Sequence, residues 1–185
     1  MRSAVFDACV LYPAPLRDLL LRLTKAGVVD GFWSSTILDE CFRSIARNRP
    51  DLPVGVLEAS RDAMERYFPS RLLSGHEQLI EELSLPDPDD RHVLAAAVHA
   101  ALPTIVTFNL KDFPANELVR YHVVAVHPDD FVLAAIARDA DGVVNVVGEQ
   151  RASLSRPPAT MEQLLNRLAE QGLRASVAVL RTRVG

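Results

Sequence analysis

The chain has 185 residues, a net charge of −4 and a hydrophobic fraction of 49%. This length supports one well-buried domain with a small appendage, and the hydrophobic content excludes wholesale disorder. The acidic balance excludes a general affinity for polyanions, so any nucleic-acid contact has to come from a local basic surface. Two cysteines, Cys9 and Cys41, are too few for a disulfide framework and lack zinc-finger spacing. The absence of a membrane-length apolar run and of a signal peptide predicts a cytoplasmic protein without membrane contact.

Short apolar runs alternate with segments of helical periodicity along most of the chain. The runs that predict strands are residues 3–6, 28–33, 104–108 and 123–126. Before residue 104, the periodic segments that predict helices are 16–26, 36–48, 54–68, 75–83 and a helix body at 93–101. A further helix begins at Pro128. Strands separated by helices in this way indicate a parallel sheet with helices on both faces.

The character of the chain changes beyond residue 140, where arginine dominates the charge and no strand pattern remains. Residues 143–154, 160–171 and 174–184 predict helices, and Thr160 with Gln163 resembles a capping box. We therefore expect a strand–helix domain over residues 1–139 and a helical extension over residues 140–185. The residues of the extension do not identify a role for it.

Residues 85–114 carry acids at both ends of one helix–strand unit. Asp87, Asp89 and Asp90 begin the helix, and Asp112 follows the strand. Asp7 ends the first strand in the same way, and parallel sheets bind ligands beyond the carboxyl ends of their strands. Ordinary helix-start chemistry explains part of the acid cluster, but three carboxylates in four positions repel one another. A bound cation would relieve that repulsion.

Other polar residues have simpler interpretations. Glu40 lies on a polar helix face near Arg43, which is typical of a solvated surface. Cys41 is read as a small buried residue. His92 and His99 lie seven apart with no third ligand at metal spacing, and both are read as structural or surface residues.

Four motifs occur in an order that resembles a known family: VFDACVLYP, SSTILDECFR, DPDDRHVLAAAV and IVTFNLKDFP. Over residues 1–131 the chain resembles the PIN-domain family of metal-dependent ribonucleases, and in particular the VapC toxins of bacterial toxin–antitoxin pairs. The resemblance implies a three-layer α/β/α domain with a central parallel sheet, followed here by the helical extension.

The resemblance also implies a site. Its four acids would be Asp7, Glu40, Asp90 and Asp112, with Asp7 and Asp90 as the principal ligands of Mg²⁺ or Mn²⁺. Asp89 competes with Asp90 for the third position. Supporting positions beside the acids would be Thr107, Asn109, Asp89 and Arg91. Many relatives carry an acid where Asn109 stands, so the ligand set at that end stays open.

The implied substrate is RNA, and the implied partners are a small antitoxin protein and a second copy of the chain. Two alternatives remain at this point. A haloacid-dehalogenase-type phosphatase also has an acid at the end of its first strand, but it needs a second acid where Cys9 stands. A PIN-like module without catalysis would only bind RNA or protein.

Overall fold

The computed structural model describes residues 2–155 and 157–184. Five parallel strands form one sheet in the order β3-β2-β1-β4-β5. The strands are β1 (Ser3–Phe6), β2 (Asp30–Ser34), β3 (Leu72–Leu73), β4 (Thr104–Val106) and β5 (Val124–Val126). Val5 of β1 is paired with Phe32 of β2 and Ile105 of β4, so β1 lies at the centre. The predicted parallel sheet is confirmed.

Helices pack on the sheet to give the three-layer α/β/α fold that the sequence predicts. In the first half of the chain they are α1 (Ala8–Leu11), α2 (Ala14–Lys25), α3 (Ser35–Asn48), α4 (Val54–Tyr67) and α5 (Arg91–His99). The second half contains α6 (Ala115–Leu118), α7 (Pro128–Arg138), α8 (Ala140–Ser153), α9 (Met161–Glu170) and α10 (Arg174–Arg181). None of the helices in the described part of the chain is long and apolar enough to cross a membrane.

The sequence of α3 shows why the helices form where they do. The Ser34 side chain accepts a hydrogen bond from the Ile37 backbone N–H at 3.2 Å, which caps the helix N-terminus. Ile37, Phe42 and Ile45 recur at helical spacing and are buried in the core. This arrangement leaves Glu40 on the opposite, more solvent-exposed side of the helix.

Several predicted boundaries are wrong, and the helix over residues 75–83 is absent. Glu77–Glu82 forms 3₁₀ turns without a buried residue, because that segment has no apolar stripe to anchor a longer helix. The second strand begins at Asp30 because the backbone N–H groups of Val28 and Val29 bond back to the Leu23 carbonyl. Three elements were missed, namely β3, α1 and α6, and none exceeds four residues.

The C-terminal helices share the core of the sheet domain. Val147 of α8 and Leu168 of α9 are fully buried within the same cluster as β1. Gln150 donates a hydrogen bond of 2.9 Å to the Pro15 carbonyl, which joins α8 to α2. The carboxylate of Asp129 on α7 accepts bonds of 2.8 Å from the backbone N–H groups of Ala175 and Ser176, in the first turn of α10. The predicted capping box of Thr160 and Gln163 is confirmed at the start of α9.

Candidate metal centre

Asp7 is the acid nearest the centre of the sheet. It follows β1 directly, its backbone is extended, and its side chain is buried although it carries a carboxylate. Its Oδ2 atom accepts hydrogen bonds from the Thr107 hydroxyl at 2.6 Å and from the Cys9 thiol at 3.0 Å. Burial raises the pKa of Asp7 above its ordinary value, and Glu40 adds to that rise, whereas the two hydrogen bonds oppose it.

The loop after β4 supplies these donors and is itself tied to the loop after β1. Thr107 Oγ1 accepts a bond of 2.9 Å from the Asn109 backbone N–H while it donates to Asp7. Cys9 Sγ accepts a bond of 3.2 Å from the Phe108 backbone N–H. Two strand ends that are adjacent in the sheet are therefore cross-linked around one carboxylate. Thr107 is among the site residues predicted from the sequence, whereas Cys9 is not, because its only signal is its place two residues after Asp7.

Asp90 lies at the N-cap of α5, but its side chain makes no capping hydrogen bond. The carboxylate is therefore not used by the helix. Burial raises its pKa to about 7, and the negative charges of Asp7, Asp87, Asp112 and Glu40 contribute in that order. An acid this strongly affected by four others marks a place where negative charge accumulates.

The neighbouring acids of the same turn differ from Asp90. Asp87 accepts a bond of 2.9 Å from the Asp89 backbone N–H, which is ordinary turn chemistry. Asp89 is exposed, whereas Asp90 is half-buried. Arg91 donates to the Pro88 carbonyl at 3.1 Å and lies 3.8 Å from Glu81, so it is directed along its own loop. These positions favour Asp90 over Asp89 as the third acid.

Glu40 and Asp112 approach Asp90 from opposite parts of the chain. Glu40 extends from α3, and its Oε2 atom lies 3.3 Å from Nε2 of His92 on α5. His92 is thus a buried partner of a candidate site acid, a contact that the sequence analysis did not identify. Asp112 ends the 3₁₀ turn Leu110–Asp112 and lies 3.9 Å from the Lys111 ammonium group. The Asn109 side chain is exposed.

The donor chemistry of this cluster fits a hard divalent cation. It consists of carboxylates with one hydroxyl beside them, which is the oxygen set that Mg²⁺ and Mn²⁺ prefer. In the described part of the chain, no group of three or more His, Cys, Asp or Glu side chains is arranged to hold a metal ion. Mg²⁺ commonly binds through one or two carboxylates and several waters, and that mode does not need such a group.

Comparison with known proteins identifies the fold family. The family model described as "PIN domain" matches residues 3–111, which is more than half of the chain. The chain therefore belongs to the PIN-domain family, as the sequence motifs predicted. The VapC50 C-terminal domain model matches residues 128–182.

The chain is also similar to a particular curated protein. The chain is 43% identical over 82 residues to a protein described as "Putative ribonuclease VapC50" from Mycobacterium tuberculosis (strain ATCC 25618 / H37Rv). That alignment covers 44% of this chain and 48% of the relative, so the chain spans about half the length of the curated relative that it matches. No solved structure shows significant similarity to this chain.

Proposed function

We propose that the chain is a divalent-metal-dependent endoribonuclease and the toxin of a toxin–antitoxin pair. The observation that carries this proposal is the half-buried Asp90, whose pKa is raised by burial and by the negative charges of Asp7, Asp87, Asp112 and Glu40. Asp7 follows β1 and Asp112 follows β4, at the carboxyl edge of the sheet. Asp7, Glu40 and Asp90 lie within the segment that matches the PIN-domain model, and Asp112 comes one residue after its end. The relative's printed name, a putative ribonuclease, supports the same reaction class.

Each acid has a distinct place in this proposal. Asp7 and Asp90 hold the metal, because Asp7 is buried directly after β1, Asp90 is half-buried at the start of α5, and the pKa of each carboxyl is raised. When bound, Mg²⁺ or Mn²⁺ makes a water more acidic and neutralises charge that develops on the phosphodiester. Glu40 and Asp112, whose side chains are 47% and 18% exposed, orient the attacking water by accepting its hydrogen bonds.

Neutral side chains hold the acids in place. Thr107 and Cys9 fix the rotamer of Asp7, since both donate to the same carboxylate oxygen. His92 limits the movement of Glu40 from the opposite helix. Lys111 lies beside Asp112 with its ammonium group largely exposed, so it is placed to meet a substrate phosphate.

The decisive experiment compares RNA cleavage by the purified protein in Mn²⁺, in Mg²⁺ and in EDTA. We expect cleavage with either ion and none with EDTA. Asp7→Asn and Asp90→Asn should abolish cleavage, while Asp141→Asn, on the exposed start of α8, should not. Full activity of Asp7→Asn would contradict the proposed site. Binding of RNA without cleavage in any metal would favour the non-catalytic module.

The phosphatase alternative has little support. Cys9 occupies the position where that class needs its second acid, and its thiol is engaged by Asp7 and the Phe108 N–H. Hydrolysis of a generic phosphomonoester that Asp7→Asn abolishes would revive it.

The partner is proposed to be a small antitoxin that places a basic side chain against the acid cluster, and the toxin is proposed to act as a homodimer. The excess of negative charge around Asp90 supports such a contact. Co-expression with candidate small proteins, followed by size-exclusion chromatography with light scattering, tests both statements. A monomer at all concentrations would contradict the dimer.

A further inference from the structure

A small cavity opens directly beside the acid cluster. It has a volume of about 280 Å³ and lies between Tyr12 and one face of α3. Glu40, Ser44 and Asn48 form its wall, and Cys41 lies at its base. Glu40 and Cys9 belong both to this cavity and to the candidate metal centre, so the two are continuous. We call the cavity the α3 cleft.

The wall of the α3 cleft follows from helical periodicity. Residues 40, 44 and 48 are four apart, so they lie above one another along α3. Arg43 and Arg47 occupy the adjacent row of the same helix and are exposed. Neither arginine forms an ion pair within residues 2–155 and 157–184. A line of polar groups and a line of unpaired positive charge thus lead away from the acids.

The polar groups of the α3 cleft are not used to hold the fold together. Among the described residues, no protein group makes a hydrogen bond to the Ser44 hydroxyl, the Asn48 side-chain amide or the Tyr12 phenol. Ser44 and Tyr12 are half-buried, and Asn48 is exposed. An aromatic ring with free donors and acceptors above an apolar base is the usual construction of a small-ligand site.

We propose that the α3 cleft binds one unstacked nucleobase of single-stranded RNA, next to the phosphodiester held at the acid cluster; this rests on the proposed function. Proteins that read RNA by sequence stack splayed bases on aromatic rings and hydrogen-bond their edges with amide and hydroxyl groups. Tyr12 supplies the ring, and Asn48 and Ser44 supply the edge contacts. Arg43 and Arg47 meet the phosphates on either side of the base.

Size and charge favour a base over the other candidates. The volume of about 280 Å³ lies below that of ordinary drug-sized sites, which admits one base and excludes a stacked dinucleotide. Arg43 and Arg47 occupy the row of α3 beside the cleft, and their positive charge disfavours a basic side chain of a protein partner there. The α3 cleft therefore selects the nucleotide beside the cut.

The test uses a library of single-stranded RNA with random sequence, cleaved in Mn²⁺ and sequenced at the new ends. Wild type should prefer one base at one position beside the cut by about 5–100-fold, the discrimination that a good amide–base pair gives. Asn48→Ala should reduce that preference at least threefold at that position and at no other. Asn145→Ala, which removes an exposed amide on α8, should leave it unchanged.

A second pair of variants separates stacking from hydrogen bonding. Tyr12→Leu should raise KM about tenfold, because it removes the ring on which the base stacks, and Tyr12→Phe should restore KM to near the wild-type value. A position-specific preference that survives Asn48→Ala, or equal KM values for Tyr12→Leu and Tyr12→Phe, would overturn the proposal. If Tyr12→Leu or Asn48→Ala weakened binding to a protein partner and left RNA cleavage unchanged, the α3 cleft would be a protein-binding site and the proposal would be overturned.

A failure of the α3 cleft can be told apart from a failure of the nuclease. If wild type cuts no RNA in Mn²⁺, the proposed function fails. The base subsite is then tested alone by fluorescence anisotropy with labelled RNA octamers and the Asp7→Asn protein. Tyr12→Leu in that background should bind about tenfold more weakly than Tyr12→Phe. Equal affinities would refute the subsite.

Discussion

Replacement of Asp90 by asparagine should stabilise the protein when no metal is present. Burial and four neighbouring acids raise the pKa of Asp90 from 3.8 to about 7, so the ionised carboxylate is unfavourable in the folded state. At about 1.4 kcal/mol per pH unit this difference corresponds to roughly 4 kcal/mol. Because Asp90 is only half-buried, solvent screening reduces the expected effect to about 1–2 kcal/mol.

The sign of this effect depends on pH. Below about pH 3, Asp90 is protonated in both the folded and the unfolded chain, and wild type and Asp90→Asn should have similar stability. As the pH rises towards 7, the unfolded chain releases the proton first, so wild type loses stability relative to the variant. Above about pH 7 the carboxylate is ionised in both states, and the difference is constant.

Thermal unfolding in EDTA at pH 4.5, 6 and 8 measures this difference. For a chain of this size, about 1–2 kcal/mol corresponds to a rise in Tm of about 3–6 °C at pH 8. Asp89→Asn is the matched control, because it removes the same charge from an exposed position one residue away. A Tm of Asp90→Asn equal to or below that of wild type at pH 8 would refute the charge-crowding argument.

Three further predictions concern the residues around the site. Thr107→Val should lower the free energy of unfolding by about 1–3 kcal/mol and reduce RNA cleavage, because the buried Asp7 carboxylate loses its shortest hydrogen bond. Thr107→Ser keeps the hydroxyl and should retain both stability and cleavage. Equal melting temperatures of the two variants would contradict this role. Asp129→Ala should cost about 2 kcal/mol in chemical denaturation, since α10 loses the cap on its first N–H groups, and Asp130→Ala, at an exposed neighbouring position, should cost little. Arg43→Gln should reduce the slope of the logarithm of RNA affinity against the logarithm of salt concentration by about one. An unchanged slope would exclude a specific phosphate contact of Arg43, and so would an equal reduction in the control variant Arg66→Gln, on the exposed face of α4.

The fold was largely predictable because its long elements carry strong patterns. The apolar spacing of α3 and the apolar run of residues 4–6 in β1 are local signals, and each is visible without the rest of the chain. The two-residue strand β3 and the 3₁₀ segment Glu77–Glu82 are held mainly by tertiary contacts, which local patterns do not report. The second strand begins later than the predicted residue 28, because the carbonyl of Leu23 near the end of α2 accepts hydrogen bonds from backbone N–H groups that the strand would otherwise use.

The sequence indicates a set of candidate acids, but it does not indicate the hydrogen-bond network around them. Strand ends of a parallel sheet converge, so the positions of Asp7 and Asp112 follow from topology. Cys9 and His92 contact the acids through side chains that come from separate turns and helices, and their types allow many simpler roles. Only coordinates show that the Cys9 thiol joins Asp7 to the loop after β4.

The most direct test of the metal centre is anomalous diffraction at the manganese edge from a crystal grown with Mn²⁺. We expect one strong peak beside Asp7 and Asp90, with each carboxylate at about 2–2.5 Å or bridged by one water. Glu40 and Asp112 should lie in the surrounding shell. A peak elsewhere, or the four acids turned away from one another around empty solvent, would contradict the metal centre on which the proposed ribonuclease depends.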